Sequence, residues 1–210
     1  MALQSNAILS IYELKAALKL QETEKEELLE GLINSASDFI EGSLNRRLKT
    51  QTYTAVRFDG TGSKYLFPEF PVTTLTSVVL DETTQTLWLP GDSGEPKDKD
   101  VILLDGPDPK WGRWALYRDL KWTKGMLNIK MTYTAGYGAT TPANMPAMPE
   151  DLKQACIIIA RHWYYLQDRQ RQGLYSRRMS GESVSYVQTS LPREAVPLLN
   201  RYRRHAIVGI

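Results

Sequence analysis

Residues 131–155 read "MTYTAGYGATTPANMPAMPEDLKQA", and three kinds of chain follow one another within them. Met131 to Ala135 alternates apolar and polar side chains, the pattern of a strand with one buried face. Gly136 and Gly138 let the backbone leave a sheet without strain. A tether spaced by Pro142, Pro146 and Pro149 then stops regular structure. Pro149-Glu150-Asp151 opens a helix, with proline in the first turn and carboxylates at the positive end of the dipole. A strand, a tether and an apolar helix in this order place a β module beside helices. Tyr133 and Tyr137 are expected to pack between the two layers rather than to meet a partner.

Working outward, the helix after Pro149 carries Leu152, Ala155, Cys156, Ile159, Ala160 and Trp163 as its buried stripe. Ile157 and Ile158 fall off that stripe, so the helix is apolar on more than one side and belongs at the centre of a bundle. Two helices are expected near the N-terminus. Ser10-Ile-Tyr-Glu13 has the form of a capping box before Leu14, Ala17 and Leu18. Thr23-Glu-Lys-Glu26 is a second box, ahead of the stripe Leu29, Leu32, Ile33, Ala36, Phe39, Ile40 and Leu44. A last short helix follows Leu191-Pro192, and Pro197 requires it either to bend or to begin later. The polar, basic stretch from Arg169 to Arg178 reads as a mobile loop, and Ser183 to Gln188 alternates weakly as a late strand.

Between the helical ends the texture is β. Strands are expected at 52–58, 64–67, 75–80, 85–89, 101–104 and 127–134, with Asp59-Gly-Thr-Gly62 as a turn and 90–100 as an exposed loop. Several short strands separated by turns indicate an antiparallel sheet or small barrel, not a parallel α/β fold. Trp88, Trp111, Trp114 and Trp122 all lie here, and a tryptophan-filled core or interface is preferred over a stacking platform. The fold class is therefore α+β: a small helical bundle formed by both chain ends with an inserted antiparallel β module. The expected divisions are 1–50, 51–138 and 139–210.

The 210 residues hold 42% hydrophobic and 24% charged side chains, enough for a packed core. No apolar run approaches the length of a membrane span, and the opening "MALQSNAILSIYELK" lacks the basic and apolar regions of a signal peptide. With a lone Cys156, the expectation is a soluble chain made in a cytosol. The net charge of +2 is unevenly spread. From Asp151 onward ten basic residues face four acidic ones, a local +6 that leaves −4 for the remainder. A basic C-terminal part suits an acidic partner, or is simply a solvated tail.

Catalytic chemistry finds little support. His162 and His205 are the two imidazoles, and six residues separate His162 from Cys156, which puts them on opposite sides of a helix. No HExxH, paired-cysteine or phosphate-loop spacing occurs, so no metal and no cofactor is expected. Asp59-Gly-Thr-Gly62 has the wrong order for an aspartic-protease loop and no second copy, and Asp105-Gly-Pro-Asp108 reads as a turn. Tyrosines interleaved with the C-terminal arginines could follow nucleic-acid phosphates without reading sequence.

In its order of parts the sequence resembles the head-to-tail adaptor, or head-completion, proteins of long-tailed bacteriophages and gene-transfer agents. The resemblance rests on "LSIYELKAALKL", "EELLEGLINSASDFIEGSLNRRL", "FDGTG" before "FPEFPVTTLTSVVL", "MTYTAGYG", "MPEDLKQACIIIARHWY" and "LPREAVPLLNRYRR". The tryptophan-rich segment 81–125 is longer than the family pattern. The resemblance implies a non-enzymatic virion protein at the head-to-tail interface, made in the host cytoplasm. It implies a ring of copies, twelve in the virion, that docks below the portal ring after packaging and presents a surface to a stopper or tail protein. Packaged DNA would pass through the lumen without specific contacts, and no membrane is involved.

On that footing Leu198, Leu199, Tyr202, Arg203, Arg204, Ile207 and Ile210 are expected to contact the portal, because this segment ends apolar and basic. Deleting 202–210 is then expected to leave the fold intact and to abolish portal binding. Arg169, Arg171, Arg177 and Arg178 are expected on a mobile surface facing a partner or DNA. Ile157, Ile158 and Trp163 are candidates for the contact between subunits. The alternatives are a non-specific DNA-binding protein, or a stopper or tail-terminator of the same assembly.

Overall fold

A computed structural model describes residues 2–21, 25–89, 92, 100–105, 113–138, 147–171, 177–179, 182–184 and 192–203. It is an α+β protein in two compact units, one made of 1–46 with 149–205 and the other of 47–148. The second unit interrupts the first in sequence, so both chain ends build the helical unit.

In the helical unit, α1 (Ile11–Leu18) starts with the expected capping box. Ser10 Oγ accepts the Glu13 backbone N–H at 3.3 Å, and Glu13 accepts the Ser10 N–H at 2.8 Å. Its C-cap is Lys19 in the left-handed region, φ 57°. Helix α2 (Glu26–Leu44) has Lys25 as its N-cap, without a side-chain cap bond. Thr23, expected as that cap, lies outside the described residues. Lys15 on α1 forms an ion pair with Glu26 at the start of α2.

Helix α3 (Glu150–Arg171) begins as the Pro149 signal requires, with the Pro149 carbonyl accepting from Lys153 N–H at 3.2 Å. Leu152, Ala155, Cys156, Ile159 and Ala160 are fully buried, and α3 packs against α1, α2 and the terminal helix α4 (Ala195–Asn200). Helix α4 begins after Pro192, which places Pro197 in its first turn. There the missing N–H would have no helical acceptor anyway. The loop expected from Arg169 starts instead as helix, to Arg171. Beyond it, β9 (Arg177–Met179) and β10 (Glu182–Val184) pair as an antiparallel hairpin. Residues 172–176, 180–181 and 185–191, with the rest of the expected late strand, lie outside the described residues.

The β unit contains two four-stranded sheets. The first orders β1 (Gln51–Gly60), β8 (Gly125–Ala135), β3 (Val72–Leu80) and β4 (Thr83–Thr84), antiparallel throughout. The second orders β2 (Tyr65–Leu66), β7 (Arg113–Tyr117), β6 (Val101–Asp105) and β5 (Leu87–Trp88). Within it β5 and β6 run parallel, the one departure from the expected antiparallel module. Asp100 sets that pairing: its carboxylate accepts both the backbone N–H and the hydroxyl of Thr86 at 3.0 Å, tying together the residues just before the two strands.

One core draws on both sheets, with Val78, Ile129, Met131 and Tyr133 from the first, Leu66, Val101, Leu103 and Leu116 from the second, and Trp122 from a connection. Tyr133 is central. It stacks on Tyr53 at 4.9 Å between ring centroids and accepts the Glu69 backbone N–H at 3.3 Å. At the end of β8, Gly136 donates to Pro71 and Tyr137 donates to the Leu48 carbonyl at 2.7 Å. The tether at 139–146 lies outside the described residues.

Candidate partner-binding surfaces

The C-terminal segment divides into an inward and an outward face. Ala195, Leu199 and Tyr202 are buried, and Tyr202 retains only 2% of its exposure. Its hydroxyl donates to Asp151 at 3.2 Å, and its carbonyl accepts from the buried Arg46 guanidinium at 3.4 Å. Leu199 and Tyr202, expected on a partner surface, therefore complete the chain's own helical core. An amphipathic stripe has the same spacing whether it closes on its own chain or on another. Among the described residues, the accessible side of the segment includes Val196, Pro197, half-buried Leu198, Asn200, Arg201 and Arg203. Arg204, Ile207 and Ile210 lie outside the described residues.

A second surface runs along α3. Ile157, Ile158 and Trp163 are half-buried, and Trp163 meets Phe39 edge-on at 5.9 Å. Gln154, Ile158, Arg161, His162, Tyr165 and Leu166 line one side of a groove of about 330 Å³. Pro192 and Glu194 line the other. The sequence alone marks Ile158 as a subunit contact and singles out His162 and Tyr165 as surface residues, but does not join them into one groove, although their recurrence at three and four residues was legible. Arg169 and Arg171 fall on the last turn of α3, and Arg177 and Arg178 on β9. Their side chains lie outside what the structure describes.

Cys156, Asp59 and Asp105 are each buried or bonded within the chain. Burial pushes the Cys156 thiol up to about 12, against a lowering hydrogen bond from Ser37, so no reactive thiolate forms near neutral pH. His162 lies on the groove side of α3 and Cys156 in the core. His205 and Asp108 lie outside the described residues. Asp59 spends its carboxylate on the backbone, accepting the Leu127 N–H at 2.6 Å. Asp105 pairs with Arg113 at 3.7 Å. Among the described residues no group of His, Cys, Asp and Glu could hold a metal ion, and no helix is long and apolar enough to cross a membrane. Trp122 is fully buried in the β core and Trp88 is half-buried; Trp111 and the Trp114 side chain lie outside the description.

No curated protein matches the sequence. Among solved structures, a chain in the neck of an empty gene transfer agent (GTA) particle, computed with C6 symmetry, aligns with a TM-score of 0.51 and 21% identity. The alignment covers 100% of this chain and 96% of that one. A chain in the virion of the native GTA particle aligns over the same shares, with a TM-score of 0.52 and 21% identity. These likenesses establish a common fold. Residues 7–205, spanning both units, match the head completion protein family, and the chain belongs to that family.

Proposed function

We propose that this protein is a structural connector of the virion, docking on the portal ring after DNA packaging and forming the surface that the next connector or tail component meets. The observation that carries this reading is the family match across residues 7–205. Two neighbours of the same fold, seen in a GTA neck and a GTA virion, support it. Copies form a ring through heterologous contacts, which close when the rotation between neighbours permits. Twelve copies are proposed. Ile157, Ile158 and Trp163 serve the contact between subunits, and Leu198 and Arg203, with the segment 204–210 that follows them in sequence, face the portal. The arginines at 169, 171, 177 and 178 face a partner or the DNA in the lumen.

The test is genetic and biochemical. Particles assembled without the chain should contain DNA-filled heads that carry no tails, and adding the purified protein should restore joining. The purified protein should also co-sediment with isolated portal rings. Tailed, infectious particles lacking the chain would sink the reading. Salt-sensitive binding of the monomer to duplex DNA, with no portal binding, would replace it with the DNA-binding alternative.

A further inference from the structure

At one end of the β unit, strand β8 departs from regular pairing. Phe58 faces Ile129 and Gly60 faces Gly125, so Met126, Leu127 and Asn128 together stand opposite the single residue Asp59. Such a bulge re-aims the side chains it carries. Met126 is 86% exposed and Leu127 48% exposed. Leu127 also holds φ at +53°, a region a leucine enters only at a cost and only when its surroundings impose it. Here β1 imposes it from both sides. Asp59 accepts the Leu127 N–H at 2.6 Å, and Arg57 donates to the Leu127 carbonyl at 3.2 Å. The result is two apolar side chains displayed on an anchored backbone.

The surrounding segments, 59–65 and 117–128, are laced together by Gly62 N–H to Trp122 O at 2.8 Å and Asn128 to Thr123 O at 3.0 Å. They add Leu120, 76% exposed, and Tyr65, 45% exposed. Four of the eight exposed large apolar side chains among the described residues thus sit in these segments. Their charges are unequal. Both carboxylates in these segments are engaged within the chain, Asp59 by the Leu127 backbone and Asp119 by Lys64 at 2.6 Å. The ammonium groups of exposed Lys121 and Lys124 have no hydrogen bond or ion pair among the described residues.

We propose that the Met126–Leu127 bulge is a docking element for a second protein whose surface offers an apolar cleft rimmed by carboxylates. Met126 and Leu127 enter the cleft, and Lys121 and Lys124 meet its acidic rim. An apolar anchor with a polar rim is how binding energy concentrates in interfaces, and a preset backbone lowers the ordering cost of binding. The Leu127 side chain is left half in solvent by that backbone. None of these residues is among those assigned to the portal, and the inference does not depend on that assignment.

The test places a photo-crosslinking residue at Met126 of the full-length chain and irradiates intact producing cells. The expected product joins Met126 to a peptide of another protein in which Asp and Glu outnumber Lys and Arg and flank apolar residues. The yield should fall at least tenfold when Leu127→Asn, Lys121→Glu and Lys124→Glu are added. Leu127→Asn alone, which suits the left-handed backbone, should leave the thermal midpoint unchanged or higher. Crosslinking only to nucleic acid, to lipid or to a second copy of this chain overturns the proposal, as does no crosslink or a yield the substitutions leave unchanged. Absence of the chain from purified particles would instead overturn the connector reading, since the crosslinked peptide is identified in cells either way.

Discussion

Gly136 sits at φ +116°, and a Cβ added there would lie 2.4 Å from the Lys49 carbonyl oxygen. Both terms act together, so Gly136→Ala should destabilise the β unit by about 2–4 kcal/mol, read as a shift of the urea midpoint. A substitution that left the midpoint in place would show that the Leu48–Thr50 segment yields freely. Trp122 makes a different case. Its ring is fully buried, while its indole N–H meets no acceptor among the described residues. Trp122→Phe loses no hydrogen bond but opens a small cavity and should cost about 1–3 kcal/mol, whereas Trp122→Ala should cost about 3–5 kcal/mol. Equal losses in the two variants would show that the pocket does not close around the smaller aromatic ring. Cys156 gives a pH signature, because burial raises its folded value from 9.0 to about 12. The unfolded thiol releases its proton first. The stability it contributes is thus full below about pH 9 and is lost as pH rises toward about 12. Urea midpoints of wild type and Cys156→Ala should keep a fixed difference below about pH 8 and converge by about pH 10.5. A thiol reagent should label Cys156 only on unfolding.

The elements differ in how plainly they were written. Helices α1, α2 and α3 show a 3.6-residue apolar stripe, and α1 and α3 add a start signal that the folded chain uses at Ser10 and Pro149. Ser10→Ala should accordingly cost about 1 kcal/mol in the helical unit, measured by loss of helical signal in urea. Strand β8 was equally legible, since Ile129, Met131, Tyr133 and Ala135 alternate over one buried face. Strand β7 was missed because Arg113-Trp-Ala-Leu-Tyr117 does not alternate: Ala115 and Leu116 are both buried. The two-residue strand β4 is too short to show a period, and the parallel β5–β6 pairing depends on Asp100 and Thr86, fourteen residues apart. Helix α4 was legible as an amphipathic element, but its apolar face was expected to meet a partner. Since Tyr202 fills the core and binds both Asp151 and Arg46, removing 202–210 should destabilise the helical unit. Tyr202→Ala alone should cost about 3–5 kcal/mol. Arg203→Ala, at an exposed position, should leave stability within about 0.5 kcal/mol of wild type. If Tyr202→Ala unfolds no more readily than Arg203→Ala, the outward placement expected from the sequence is the right one.

For the molecule as a whole, the α+β plan of helical ends around a β insertion was legible because the hydrophobic period changes near Thr50 and changes back after Gly138. The exposed surfaces were less so. The groove along α3 needs a helix and the Pro192–Glu194 turn brought together, and the Met126–Leu127 bulge needs Asp59 and Arg57 from a strand far away in sequence. Apolar period marks what is buried, not which exposed residues a partner will use. The insertion also carries a folding consequence. The β core is assembled from residues between Leu66 and Ala135, with Tyr53 and Phe58 packed against it, all inside the unit 47–148. Its sheets and its end-closing bonds from Tyr137 to Leu48 and Thr50 are likewise internal. A fragment of 47–148 contains about a hundred residues, the size at which one core sustains a domain. It should fold alone, with blue-shifted emission from buried Trp122 and a single cooperative urea transition. In the intact chain the same transition should appear at a similar midpoint, and Tyr202→Ala should move only the other one. A fragment with red-shifted emission and no cooperative transition would mean that the β unit draws its stability from the helices that flank it.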